Sequence, residues 1–240
     1  MAAADKIATD RTAAPAATLT ISSKNYSSWS LRGRLLCALA GLDVEESMLS
    51  VDDPSARAEL LLLSPSFLVP CLFHDGVKVW DTLAIAAYLD EISPQAGLLP
   101  ADVKARAHCR AICGEMHSGF ANLRSALPMN LKGHYPGFKV WAGAQADIDR
   151  VVEIWRDCLG TYGGPYLFGK TLTMADAMYA PVVTRLDTYG IAVDPVSQDY
   201  MQAVLALPAY REWLAAALVE PWIVAHDEVD EPALVDLRNS

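Results

Sequence analysis

No apolar run in this chain approaches the roughly 20 residues a helix needs to cross a bilayer; Leu60 to Leu63 reads as a piece of a shorter helix. Basic residues are scarce, with 19 lysines and arginines against 29 aspartates and glutamates and a net charge of −10. That balance argues against nucleic acid or an anionic membrane surface as the general partner, while leaving room for a small anion held by local donors. Cysteine does not supply a disulfide framework: Cys37, Cys71, Cys109, Cys113 and Cys158 are odd in number and irregularly spaced. A reducing cytoplasm fits that usage. Met1 to Ala17 is alanine-rich and lacks the apolar core of a signal peptide, so residues 1–17 are expected to be a disordered leader. There is no internal repeat.

What is present is 240 residues, 52% of them apolar, enough for one large or two modest cored domains. Residues 18–94 mix strand and helix signals. Leu19 to Ser22 reads as a short strand, Ser23 to Ser28 as a polar loop, and Trp29 to Ala40 as a helix closed by Gly41. A weaker strand over Val44 to Val51 and a helix over Ser55 to Leu63 follow. Leu68 to Phe73 then reads as a strand, Asp75-Gly76 as a hairpin turn, Val77 to Trp80 as the return strand, and Thr82 to Ile92 as a helix ended by Ser93-Pro94. The order β-α-β-α-β-β-α is that of the thioredoxin fold. Residues 95–101 are a linker, and residues 102–229 read as helical throughout, followed by a tail at 230–240. The helices expected there are Asp102 to Leu127 as one long segment, then Ala144 to Leu159, Met174 to Leu186, Gln198 to Leu205 and Ala209 to Leu218. The fold class is therefore an α/β thioredoxin-like domain followed by an all-α helical domain.

Three local signals bear on chemistry. Pro70 opens an otherwise good strand although proline lacks the N–H a ladder needs. Two geometries fit: a trans proline on an edge strand, or a cis Val69-Pro70 bond that leaves the Val69 N–H and C=O to hold an extended peptide-like ligand. Eleven residues on, Asp81-Thr82 places a carboxylate and a hydroxyl at a helix N-terminus. Thr173-Met174-Ala175-Asp176 matches a capping box with aspartate in place of glutamate, and its role is structural.

Together these residues resemble the cytosolic glutathione S-transferase superfamily over about Leu19 to Asp227. The marks are Val69-Pro70-Cys71-Leu72, Asp81-Thr82-Leu83-Ala84-Ile85, and Tyr166-Leu167-Phe168-Gly169 with the Thr173 to Ala177 capping segment. The resemblance implies glutathione as co-substrate, a cis Val69-Pro70 bond pairing with its cysteinyl part, and Asp81 and Thr82 at its γ-glutamyl end. The active-site loop, Ser27-Ser28-Trp29-Ser30-Leu31-Arg32, is most similar to the serine-type zeta class, with Trp29 where that class has cysteine. By this match Ser27 contacts the glutathione sulfur, with Ser28 beside it. The resemblance also implies a homodimer.

A thiol of pKa near ~8.5 is only a few per cent thiolate at neutral pH, so a hydroxyl donor and the positive end of a helix both help. Helix capping is the competing role for Ser27, Ser28 and Ser30. Trp29, His117 and Arg124 are candidates for the electrophile pocket, interdomain packing being the alternative for the last two. Ser118 and Gly119 are poor helix formers in the middle of the long segment. Cys109, Cys113 and His117 lie at i, i+4 and i+8, but climb two turns and do not converge on one metal. Trp141, Trp155, Trp213 and Trp222 are expected in the core.

The function expected is glutathione-dependent transfer to a small hydrophobic electrophile, without a metal, a nucleic-acid partner or a membrane. A zeta-like isomerase or dehalogenase, and a non-catalytic interaction module, are the alternatives.

Overall fold

The computed structural model describes residues 17–49 and 68–230. The expected helix over Ser55 to Leu63 and the tail lie outside them, as does the leader except for Ala17, which opens the first strand. In β1 (Ala17–Ile21) alternation buries Ala17, Leu19 and Ile21 and leaves the threonines half-buried, the period of two expected of a strand. The parallel partner of β1 is β2 (Glu45–Met48), and its antiparallel partner is β3 (Cys71–His74). A hairpin leads from β3 to β4 (Val77–Trp80), giving the sheet order β2-β1-β3-β4. Asp75 and Gly76 turn that hairpin with positive φ at both positions, as a two-residue primed turn requires.

Between β1 and β2 runs α1 (Ser28–Leu39), and α2 (Thr82–Ile92) follows the hairpin and packs against α1. One glycine sets how closely α1 approaches the sheet. A Cβ on Gly33 would sit 2.7 Å from Pro70 Cγ and 2.8 Å from Pro70 Cβ, so the proline ring fills the space a side chain would occupy. The Val69-Pro70 bond is cis.

After a 3₁₀ turn at Pro94–Ala96, Asp102 caps α3 (Val103–Ser118) by accepting from Lys104 N at 3.0 Å and Ala105 N at 2.9 Å. The single long helix expected from Asp102 to Leu127 is in fact two, α3 and α4 (Ala121–Ala126). The break falls at Gly119, which is extended, and Phe120, which is left-handed at φ 61°. Ser118 and Gly119 are thus the interruption itself: weak helix propensity there is not offset by packing, and Phe120 turns its ring inward.

The remaining helices are α5 (Ala142–Tyr162), α6 (Met174–Thr188), α7 (Pro195–Leu205) and α8 (Pro208–Leu218). The central one is α6, buried almost along its length and in contact with both α3 and α1, so a continuous core joins the two halves. Asp176 anchors its start: one oxygen accepts from Leu167 N at 3.0 Å, the other from Thr173 N at 2.8 Å. Trp155 and Trp213 are buried, as expected, but Trp141 and Trp222 are 55% and 46% exposed and do not belong to the core. Each lies off a helix end, Trp141 before α5 and Trp222 after α8.

Candidate functional site

The N-terminus of α1 opens into a cavity of about 270 Å³. Ser27 adopts extended backbone and caps the helix, its Oγ accepting from Ser30 N at 3.2 Å. The same hydroxyl donates to Ser30 Oγ at 2.8 Å, and Ser30 Oγ accepts in turn from Ser22 N at 3.0 Å. Ser28 is the first helical residue, 9% exposed, and its hydroxyl has no hydrogen-bond partner among the described residues. Both serines line the cavity together with Trp29. The facing walls come from the helical half: Arg124 of α4, Pro128 and Met129 after it, Arg185 of α6, and Val224, His226 and Asp227 beyond α8.

Three arginines gather behind and beside Trp29. Arg32 is buried, with Nε donating to Met178 O at 2.8 Å and Nη1 without a partner. Arg124 donates through Nη2 to the carbonyl oxygens of Met116 and His117, and its buried Nε has no partner. Arg185 donates to Leu127 O at 2.7 Å and Pro181 O at 3.1 Å. The guanidinium carbons of Arg32 and Arg124 lie 4.7 and 5.0 Å from the centroid of the Trp29 ring. Among the described residues none of the three forms a salt bridge to a carboxylate. Burial lowers all three, and repulsion from neighbouring arginines adds to it at Arg32 and Arg185: Arg32 is held well below the usual guanidinium range, Arg124 is lowered, and Arg185 falls to about 10. All three remain cations at neutral pH. Desolvation raises the Asp227 carboxyl, with His226 and Arg185 opposing.

A second group of expected residues lies at the start of α2. Asp81, at φ 73°, caps that helix through one oxygen, accepting from Leu83 N at 2.8 Å. Its other oxygen is 3.0 Å from His117 Nε2, across the boundary between the two halves. The His117 ring meets Trp29 edge-on at 5.1 Å, and its buried Nδ1 has no partner. Thr82 is buried, and its hydroxyl also lacks one. The backbone N–H and C=O of Val69 make no hydrogen bond among the described residues. A continuous set of contacts therefore runs from the α2 cap through His117 and Trp29 to Arg124 and the cavity.

Sequence reasoning placed Ser27, Ser28, Trp29 and Arg124 at this cavity, whereas His117 sits beside it, facing Asp81. It missed Arg185, Asp227 and the whole segment after α8. An arginine flanked by Val182, Val183 and Leu186 in a buried helix was the available signal for the first. Cys109 and Cys113 are sealed in the core, and no group of metal-ligating side chains is assembled among the described residues.

Two family models match the chain: the N-terminal domain of glutathione S-transferase over residues 26–92 and its C-terminal domain over residues 135–216. Maleylacetoacetate isomerase of Rattus norvegicus is 30% identical over 190 residues, covering 77% of this chain and 87% of the relative. The probable maleylacetoacetate isomerase of Caenorhabditis elegans is 29% identical over 175 residues, 71% and 81% of the two chains. Among solved structures, a glutathione transferase homologue from Burkholderia with bound glutathione superposes with a TM-score of 0.63 at 24% identity, covering 84% of this chain and 97% of that one. A bacterial maleyl pyruvate isomerase, described as a zeta-class glutathione S-transferase, reaches 0.65 at 23% identity, covering 83% and 97%.

Proposed function

Because the chain belongs to the glutathione S-transferase family, we propose that it binds glutathione along Val69 and the Asp81-Thr82 helix start and activates its thiol at Ser27 and Ser28. The thiolate then attacks a small electrophile held in the 270 Å³ cavity. The observation that carries this is the pair of serines at the α1 N-terminus, opening into a space whose far walls are helical-domain residues. Ser28 offers a hydroxyl with no acceptor of its own, and the first turn of α1 adds backbone N–H groups and a positive dipole end. Ser27 reaches sulfur by releasing its bond to Ser30 Oγ while still accepting from Ser30 N. Val69 has backbone groups unpaired among the described residues for the cysteinyl part of glutathione. Asp81 has an oxygen, now facing His117, for the γ-glutamyl ammonium, and the unpaired Thr82 hydroxyl suits its carboxylate.

The electrophile fits on apolar Trp29, Pro128, Met129 and Val224, while Arg124 and Arg185 favour a carboxylate at its end. That same arginine pair supports a second reading, glutathione-dependent isomerisation of an unsaturated acid; the names of the rat and nematode relatives denote a maleylacetoacetate isomerase. Trp29 in place of the zeta-class cysteine bears on which of these the site performs best. No metal takes part in either scheme. A cytoplasmic location suits a glutathione-dependent enzyme with five unpaired cysteines. Apolar side chains exposed on the hairpin and at the end of α2, Phe73, Val77, Trp80 and Ile92, offer surface to a second copy in a homodimer.

The test is calorimetric titration of the purified protein with glutathione, followed by turnover of a neutral aryl electrophile and of a carboxylated cis-alkene. Saturable binding and turnover of either compound are expected. Absence of glutathione binding overturns the functional reading, and binding without turnover of any electrophile makes the chain an interaction module.

A further inference from the structure

The segment after α8 does more than close the cavity. Glu220, 6% exposed, reaches back across the fold to the loop that carries the serines. Its Oε2 accepts from Ser23 Oγ at 2.7 Å and Asn25 N at 2.8 Å, and its Oε1 accepts from Lys24 N at 2.9 Å. Three consecutive loop residues thus bend around one carboxylate donated from nearly two hundred positions away. No lysine or arginine side chain forms a salt bridge to it among the described residues, although Lys132 Nζ donates to the Glu220 backbone carbonyl. Among the described residues its charge is held by these loop donors, an arrangement that is costly to disturb because the Ser23 and Asn25 bonds are buried and the Lys24 bond is partly so.

The geometry passes directly to the site. Ser23 Oγ, while donating to Glu220, accepts from Tyr26 N at 3.1 Å, and Ser23 O accepts from Ser27 N at 3.0 Å. Other contacts steady the same loop: Trp213 Nε1 donates to Lys24 O at 2.9 Å, and Asn25 pairs with Asn130 at 3.0 Å. Among the described residues, however, only Glu220 gathers three successive loop residues on one group. We propose that Glu220 is a positioning residue for thiolate activation: it fixes the curvature of residues 23–25 and thereby the placement of Ser27, Ser28 and the first turn of α1 relative to the glutathione sulfur. This rests on the glutathione reading given above. It makes the C-terminal segment part of the catalytic apparatus without touching substrate.

The test uses the full chain with Glu220→Gln, Glu220→Asp and Ser23→Ala. Glutamine keeps the volume but turns a donor toward backbone N–H groups; Ser23→Ala removes one of the three donors and leaves the carboxylate in place. Ultraviolet absorbance of enzyme-bound thiolate is titrated against pH alongside kcat, glutathione KM and melting temperature. For Glu220→Gln the titration midpoint is expected to rise by about one pH unit and kcat at neutral pH to fall ~10-fold, with glutathione KM within about threefold of the parent. Glu220→Asp is expected to restore part of the shift and Ser23→Ala to show a smaller shift in the same direction. A merely structural role lowers the melting temperature and leaves the titration of the folded protein unchanged. That outcome, in whichever of the variants fold, overturns the proposal. A parent protein that shows no bound thiolate at all defeats the glutathione reading instead, so the two failures are distinguishable.

Discussion

Replacing Ser28 by alanine deletes a hydroxyl that lines the cavity and has no partner among the described residues, so the change probes thiolate stabilisation with little else lost. A hydrogen bond to a charged acceptor contributes about 1.5–3 kcal/mol. At 1.36 kcal/mol per pKa unit this raises the bound glutathione thiol by about 1–2 units. Since only the thiolate attacks, kcat at pH 7 is expected to fall ~10- to 100-fold and to recover toward the parent value as pH passes the new thiol pKa. Ser27→Ala is a different perturbation, because that hydroxyl also caps α1. It is expected to cost about 1 kcal/mol of stability, a few degrees in melting temperature for a chain of this size, in addition to any shift in the thiol. The assay is the pH titration of thiolate absorbance in the glutathione complex, with thermal melts run in parallel. A Ser28→Ala titration that overlays the parent refutes the reasoning. A larger shift for Ser27→Ala than for Ser28→Ala assigns the sulfur contact to the capping serine and requires its bond to Ser30 to open on binding.

Arg124→Met is expected to lower kcat/KM for a carboxylated electrophile by about 10- to 100-fold while changing that for a neutral aryl electrophile little, since one charge-assisted contact is removed; equal losses on both substrates contradict a carboxylate-binding role. Gly33→Ala drives a methyl group to within 2.8 Å of the rigid Pro70 ring and is expected to destabilise by about 1–3 kcal/mol in urea unfolding, with near-parent stability showing that α1 is free to shift. Asp176 has a carboxyl raised from 3.8 to about 6, chiefly by burial, with its backbone hydrogen bonds opposing. The folded state therefore holds that proton more tightly than the unfolded chain, and the contribution grows as pH falls from about 6 toward 4 and is absent above. Between pH 7 and pH 5 the parent is expected to gain about 1 kcal/mol relative to Asp176→Asn in paired unfolding curves; an identical pH dependence in the two proteins removes the basis for the shift.

Much of this protein is written in short-range patterns. The alternation in Ala17–Ile21, the Asp75-Gly76 turn and the Thr173/Asp176 anchor each depend on neighbours within a few residues, and each forms as expected. The same holds for the serines at the start of α1, because capping is local chemistry. The long segment after the linker departs from its sequence pattern for the converse reason. Periodicity carries straight through Ser118-Gly119, and weak helix propensity there becomes a break only together with the left-handed Phe120 and its buried ring. Trp141 and Trp222 show the limit again: composition assigns them to a core, but which helix ends reach that core is settled by packing.

The sequence by itself determined the two-part architecture and, with the Pro70, Asp81-Thr82 and Ser27-Ser28 signals, the residues proposed to hold glutathione. Tertiary structure alone decided what faces those residues: Arg185 from α6, the Asp81–His117 contact, and Glu220 holding the serine loop across 195 to 197 positions. The physical reason is that caps, turns and alternation are governed by bonds between near neighbours. The charge at a cavity wall and the buried carboxylate behind a loop arise only when distant segments pack against each other, and no local pattern records which ones will meet.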